Sequence, residues 1–175
     1  GLLPGFVHLY IGQEAIAAGA CAALSKEDCI TSTHRGHGHA IAKGGNLQEM
    51  MAELYGKATG TGKGKGGSMY IFDATVGNLG ANGILGAGLP IAVGAALSAK
   101  IRGTNQVAVA FFGEGASCEG AFHESINLAS VLKLPVIFLC ETNGFAEMSL
   151  YQAHVNVEKV STRAKGYEIP GITID

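Results

Sequence analysis

Charge is scarce in this chain. Asp, Glu, Lys and Arg make up 15% of its 175 residues against 47% hydrophobic, which excludes a disordered or tail-like polypeptide and leaves a thin polar surface. The formal net charge is -2 with a pI near 6.3, so there is no sequence-wide positive field to hold nucleic acid or an anionic membrane. Cysteine is sparse as well. Cys21, Cys29, Cys118 and Cys140 form no C-x-x-C pair and no Cys/His zinc spacing, and a chain of this length needs no disulfide staple, so reduced thiols in a cytosol are expected. The nearest approach to a membrane span, Ile84 to Ala99, falls short of the ~18 residues required and carries Pro90 among Gly and Ala, which reads as a buried helix. Gly1 to Tyr10 has no basic leader followed by an apolar stretch, so no signal peptide is read, and the lack of a starting Met suggests a missing N-terminus. No internal repeat or low-complexity linker divides the chain, and its length suits one α/β domain over residues 1–175.

What is abundant is glycine, 27 residues of it, which points to many close backbone approaches. An Ala-rich stretch from Gln13 to Leu24 reads as a helix, and residues 29–33 as a short strand followed by a polar Gly/His loop from Thr33 to His39. Asn46 with Glu49 three residues on is an N-cap with a capping-box acid, opening a helix through Leu54 that Gly56 ends. Lys57 to Ser68, with five glycines and three lysines, is expected to be a flexible, solvated basic loop. A small-residue helix from Ile84 to Ile101 then precedes an apolar strand, Val107 to Phe112. A helix over 117–133, with Phe122, Ile126 and Ala129 as core, leads to a second apolar strand, Val136 to Cys140, so residues 107–143 form one parallel βαβ unit.

Both strands of such a unit end at the same edge of the sheet, which sets Glu114 and Asn143 beside one crevice. Glu114 lies between Gly113 and Gly115, where backbone amides and a helix start favour a phosphate. A carboxylate beside a phosphate is repulsive unless a cation lies between them, and Mg²⁺ takes carboxylate, amide and carbonyl oxygens together with phosphate oxygens. A dinucleotide fingerprint fails because Cys118 stands where the third glycine belongs, and neither Lys63 nor Lys65 is followed by the Ser or Thr of a P-loop.

The run Gly113-Glu114-Gly115-Ala116, followed by Glu124, Asn127, Leu134-Pro135 and Glu141-Thr142-Asn143-Gly144, resembles the thiamine diphosphate motif of an acid and a later Asn. Together with His8-Leu9-Tyr10, Gly12-Gln13-Glu14-Ala15, His34-Arg35-Gly36-His37-Gly38, Gly64-Lys65-Gly66-Gly67-Ser68-Met69 and Ala81-Asn82-Gly83-Ile84, it resembles the alpha subunits of acetoin and pyruvate dehydrogenase complexes over nearly the whole chain. The resemblance implies an α/β thiamine diphosphate-binding fold, a mostly parallel sheet with helices on both faces. It implies that Glu114, Asn143 and the Phe145 carbonyl ligate Mg²⁺, and that Gly113, Gly115 and Ala116 line the diphosphate, with Gly115 and Ala116 donating amides. Arg35 matches the arginine on that diphosphate, a fixed cation with several donors, and His34 stands where pyruvate-type members carry Tyr. Gly83 and Leu85 match the aminopyrimidine positions.

The resemblance further implies a beta chain, two of each per assembly, which supplies the glutamate that activates the aminopyrimidine, and a lipoyl-bearing acyltransferase that receives the acyl unit. Residues 33–39 are more like acetoin-type than pyruvate-type members, so acetoin leads over pyruvate and branched 2-oxo acids as substrate. Glu114 replaces the commoner Asp and Thr142 the first Asn of the usual pair, while the family's later His-bearing loop has no counterpart before Asp175, as expected of a truncated core. With reduced thiols, a cytoplasmic location is expected, or the mitochondrial matrix in a eukaryote.

His8 and His37 are candidate acid–base groups near substrate, each equally readable as a packed structural histidine. Zinc at His34, His37 and His39 is a minor reading, because Gly36 and Gly38 are expected to interrupt any helix aligning them. Glu124 and Asn127 are expected to tie their helix to nearby loops. Outside the family, a Mg²⁺-dependent nucleotide-binding domain or a purely structural domain remains open.

Overall fold

The computed structural model describes residues 2–174. Three parallel strands form the sheet: β1 (Cys29–Thr31), β2 (Ala108–Gly113) and β3 (Val136–Glu141), in the order β1-β2-β3. β2 sits between the others, with Ala110 opposite both Thr31 and Phe138. Alternation along β2 feeds two cores. Ala108, Ala110 and Phe112 face α4 (Gly88–Arg102) and α5 (Gly120–Leu132), while Val109 and Phe111 face α1 (Glu14–Ala22), which contributes Ile16, Ala20 and Cys21. Helices therefore cover both faces, as a parallel sheet requires. β3 is less enclosed, with Ile137 half-exposed at the sheet's edge.

Local chemistry accounts for the element ends. Between β1 and β2 lie two shorter helices, α2 (His37–Ala42) and α3 (Leu47–Leu54). The Asn46 side chain accepts from the Gln48 and Glu49 amides at 2.9 and 3.3 Å, opening α3 as expected. α4 starts at Gly88 rather than Ile84. Its Pro90 then falls in the first turn, where a missing N–H costs no helical bond, and it closes on Gly103 at φ 65°. Gly88 lets α4 approach β1 closely enough for the Thr31 hydroxyl to donate to the Gly88 carbonyl at 2.9 Å. The βαβ unit is present, with a 3₁₀ turn, Glu114–Cys118, inserted between β2 and α5. A small antiparallel hairpin, β4 (Phe145–Ala146) and β5 (Ser149–Leu150), follows β3. No helix among the described residues is long and apolar enough to cross a membrane.

Three expectations are corrected. The residues read as a polar loop, Thr33 to His39, run into the first turn of α2, with Gly36 as its N-cap and Gly38 within it. Neither glycine is a breaker. A Cβ at Gly36 would lie 2.7 Å from the Ala81 Cβ, and one at Gly38 would lie 2.1 Å from two carbons of the Tyr10 ring, so both are small because neighbours press on them. The Lys57–Ser68 segment is tied down. It wraps the fully buried Glu53, whose carboxylate accepts from the amides of Gly62, Gly64, Gly66 and Gly67 at 2.7–3.0 Å. Burial opposes the charge on Glu53, yet the four amides outweigh it and hold the carboxyl below its ordinary range. Finally, Glu124 and Asn127 are exposed and make no side-chain hydrogen bond among the described residues, so they tie nothing, whereas Phe122, Ile126 and Ala129 are core.

Candidate active site

The carboxyl ends of β1, β2 and β3 gather most of the residues singled out in the sequence. Ser32 to Arg35 follow β1, Glu114 to Ala116 follow β2, and Thr142 to Phe145 follow β3. Gly80 to Leu85 join the same edge, since the Ser32 amide donates to the Gly80 carbonyl and Gly86 packs against Glu119. Leu85 itself is half-exposed, and Gly83 sits close to the Tyr70 hydroxyl.

Glu114 is 1% exposed. Its Oε1 accepts from the Asn143 amide at 3.0 Å and the Gly144 amide at 2.5 Å, so the acid after β2 holds the loop after β3 directly. No hydrogen bond to Oε2 is found among the described residues. The two loops also touch where Gly115 packs on Ala146, since a Cβ there would lie 2.9 Å from the Ala146 Cβ. The Asn143 side chain is exposed, and its Oδ1 accepts from the Phe145 amide at 3.0 Å. Glu114 and Asn143 therefore meet through carboxylate and backbone rather than through two converging side chains. The donor set still fits a hard cation: a carboxylate oxygen without a protein donor, an amide oxygen with a second lone pair, and the neighbouring Phe145 carbonyl. Among the described residues no group of three His, Cys, Asp or Glu could hold a metal by itself. Arg163, from the later turn Val160–Tyr167, donates to the Ser117 carbonyl at 3.2 Å and so braces the Glu114–Cys118 turn.

His8, His34 and His37 cluster beside this edge. The His8 and His34 rings meet edge-on with centroids 4.5 Å apart, and His37 Nε2 pairs with the Ser68 hydroxyl at 3.1 Å. Burial, then the neighbouring His8 and Arg35 charges, lower the His34 pKa against an opposing pull from Glu147; burial and His8 lower that of His37. Both rings therefore stay neutral to lower pH than an ordinary histidine, as suits a hydrogen-bonding or proton-accepting group. Arg35 donates from Nη1 to the Leu9 carbonyl at 2.6 Å.

Beneath these groups lies a buried network that no sequence motif marks. His39 is fully buried and stacks on Phe111 with centroids 3.8 Å apart. Its Nδ1 pairs with the Ser32 hydroxyl at 2.7 Å, its Nε2 lies 3.1 Å from both Glu141 Oε1 and the Tyr10 hydroxyl, and Tyr10 donates to Glu141 Oε1 at 2.7 Å. Both ring nitrogens of His39 thus have a hydrogen-bond partner, Nδ1 the Ser32 hydroxyl and Nε2 the Glu141 carboxylate. Ser, His and Glu in a row have the order of a nucleophilic triad, but each is at most 5% exposed, so no substrate reaches Ser32. Burial, then the bond and charge of Glu141, push the Tyr10 phenol well above its ordinary range, so it stays a donor. Contacts between positions 10, 39 and 141 leave no local spacing in the sequence. Two clefts lie elsewhere. One of about 640 Å³ is lined by Asp28, Asn105 and Val107 at the opposite edge, and an apolar one of about 280 Å³ lies between α1 and β3; neither touches Glu114.

Residues 2–175 match the family described as dehydrogenase E1 component. The chain belongs to that family. Among its relatives is the alpha subunit of acetoin:2,6-dichlorophenolindophenol oxidoreductase from Bacillus subtilis, 55% identical over all of this chain and 53% of that protein. The pyruvate dehydrogenase E1 component alpha subunit of Zymomonas mobilis is 42% identical over all of this chain and 50% of its own length. The chain thus spans about half the length of the curated E1 relatives it matches. An enzyme of Mycobacterium smegmatis described as thiamin diphosphate-dependent shares the fold, with a TM-score of 0.56 at 19% identity over 89% of this chain and 25% of that one.

Proposed function

We propose that this chain is the cofactor-binding part of the alpha subunit of a thiamine diphosphate- and Mg²⁺-dependent E1 enzyme that cleaves acetoin, with pyruvate and branched 2-oxo acids as the alternative substrates. The observation that carries the reading is Glu114, a buried acid after the central strand with one carboxylate oxygen on the Asn143–Gly144 amides and no donor among the described residues on the other. Glu114, Asn143 and the Phe145 carbonyl are the proposed Mg²⁺ ligands. Gly113, Gly115 and Ala116 would line the diphosphate, Arg35 and His34 would contact it, and Gly83 and Leu85 would receive the aminopyrimidine. When bound, the cofactor supplies a thiazolium carbon nucleophile and a sink for the electrons of a broken carbon–carbon bond.

This chain's residues bind, neutralise and orient. Arg35 and the amides of the Glu114–Cys118 turn would meet negative charge, Glu114 would balance the cation, and His37 and His8 are the candidate acid–base groups near substrate. The beta chain would supply the acid that activates the aminopyrimidine, and a lipoyl-bearing acyltransferase would accept the acyl unit. Acetoin is favoured by the higher identity to the acetoin oxidoreductase subunit, 55% against 42% for the pyruvate relative. Under this reading the assembly works in a bacterial cytoplasm, or in the mitochondrial matrix of a eukaryote. Turnover of the full-length alpha chain with its beta chain on acetoin, pyruvate and branched 2-oxo acids tests it. Acetoin should give the highest kcat/KM; a preference for pyruvate would reverse the substrate assignment, and Mg²⁺-dependent binding of ATP or NAD in place of thiamine diphosphate would reject the reading.

A further inference from the structure

The segment of residues 2–12 is held at very few points. Tyr10 alone among these residues is buried, while Leu2, Phe6, Leu9 and Ile11 are 62–85% exposed. Among the described residues, the only hydrogen bond between residues 2–9 and the rest of the chain is the one that Arg35 Nη1 donates to the Leu9 carbonyl. The carbonyl that holds Arg35 is therefore fixed through its two neighbours, His8 by a ring contact with His34 and Tyr10 by hydrogen bonds. Tyr10 hydrogen-bonds Glu141 at the end of β3, lies 3.1 Å from His39 in α2, and seats its ring in the space that Gly38 leaves.

We infer that Tyr10 is a positioning residue for Arg35, acting through the Leu9 carbonyl; the inference rests on the reading of Arg35 as a diphosphate contact. A guanidinium is planar, so one Nη1 bond to a fixed carbonyl sets the plane and leaves the remaining donors free for an anion. The rotamer freedom of Arg35 is then lost on folding rather than on binding, which is the advantage of a preorganised site. Removing the Tyr10 hydroxyl leaves the ring beside Gly38 but cuts its bonds to Glu141 and His39, so the Leu9 carbonyl is held less sharply and Arg35 reaches the ligand from a less ordered state.

A double-mutant cycle on the full-length alpha chain with its beta chain tests this, with the thiamine diphosphate Kd measured by calorimetry at saturating Mg²⁺ and the melting of the cofactor-free protein recorded alongside. Tyr10→Phe should raise Kd by about 10-fold, as expected for a bond involving a charged group. In an Arg35→Ala background the same change should have almost no effect, which a general loss of stability would not produce. Undiminished Tyr10→Phe effects in the Arg35→Ala protein would overturn the inference. So would an unchanged Kd for Tyr10→Phe when Arg35→Ala alone weakens binding, and in both cases the diphosphate reading stands. Unchanged affinity in Arg35→Ala sinks that reading and the inference with it. If Tyr10→Phe does not fold, Glu141→Gln, which weakens the acceptor of the same hydroxyl, takes its place in the cycle with the same criteria.

Discussion

Glu53 and Glu114 are both buried glutamates fed by backbone N–H groups of glycine-containing loops, and they differ in how much of the carboxylate is used. Glu53 spends both oxygens on four amides within its own stretch of chain. Glu114 takes two amides on Oε1 alone, from a loop 29 and 30 residues away. A saturated carboxylate has no capacity left for a ligand and serves as the peg around which the Lys57–Ser68 loop is wound. One with an oxygen to spare, at the carboxyl edge of a parallel sheet, can hold a loop and still meet a cation.

The largest expected effect falls on the saturated acid. Glu53→Ala strands four amides, each costing about 1–3 kcal/mol if it stays buried without a partner, so melting should drop sharply and to the same extent with and without thiamine diphosphate. Gly38→Ala ranks next. Its methyl would displace the Tyr10 ring at a cost of about 1–3 kcal/mol, seen as lower melting and faster hydrogen exchange over residues 8–11. Both are stability effects, and a cofactor-dependent loss from Glu53→Ala would break the distinction between the two acids.

Acid sharpens the comparison. Because the amides hold the Glu53 pKa below its unfolded value, its contribution is fully present above about pH 4.3, the ordinary value for Glu, and fades as pH falls through the lowered folded value. Wild type should lose stability on acidification below that point more steeply than Glu53→Gln, which has no such proton to take up. Melting curves from pH 6 to pH 3 read the difference, and parallel slopes would contradict it. The smallest structural effect is expected at Asn143, whose exposed side chain supports only the Phe145 amide. Asn143→Ala should change cofactor-free melting by about 1 kcal/mol or less while weakening Mg²⁺-dependent binding.

Much of the architecture was legible in the sequence for reasons of pattern. The apolar runs of β2 and β3 are too short for helices, the Asn46 cap carries its own signature, and a βαβ unit sends Glu114 and Asn143 to one edge whatever the side chains do. Glycine was the residue that misled. Gly36 and Gly38 suggested a broken backbone, but they are helical positions emptied of a Cβ by Ala81 and Tyr10, and a sequence does not say which neighbour arrives. The same holds for Glu53 and for the Tyr10–His39–Glu141 network, whose partners come together only once the sheet edge, α2 and the N-terminal segment are assembled.

The spare oxygen of Glu114 is proposed to serve a cation that carries a diphosphate. Glu114→Ala is a blunt probe, because it also frees the Asn143 and Gly144 amides, whereas Glu114→Gln keeps an acceptor for them and replaces the spare, charged oxygen with an NH₂ group that cannot ligate a cation. Calorimetric titration of thiamine diphosphate into the full-length alpha and beta assembly, with Mg²⁺ and with EDTA, should show Mg²⁺-dependent binding in wild type and its loss in Glu114→Gln protein that melts normally. Equal Mg²⁺-dependent affinity in the two proteins would contradict the account.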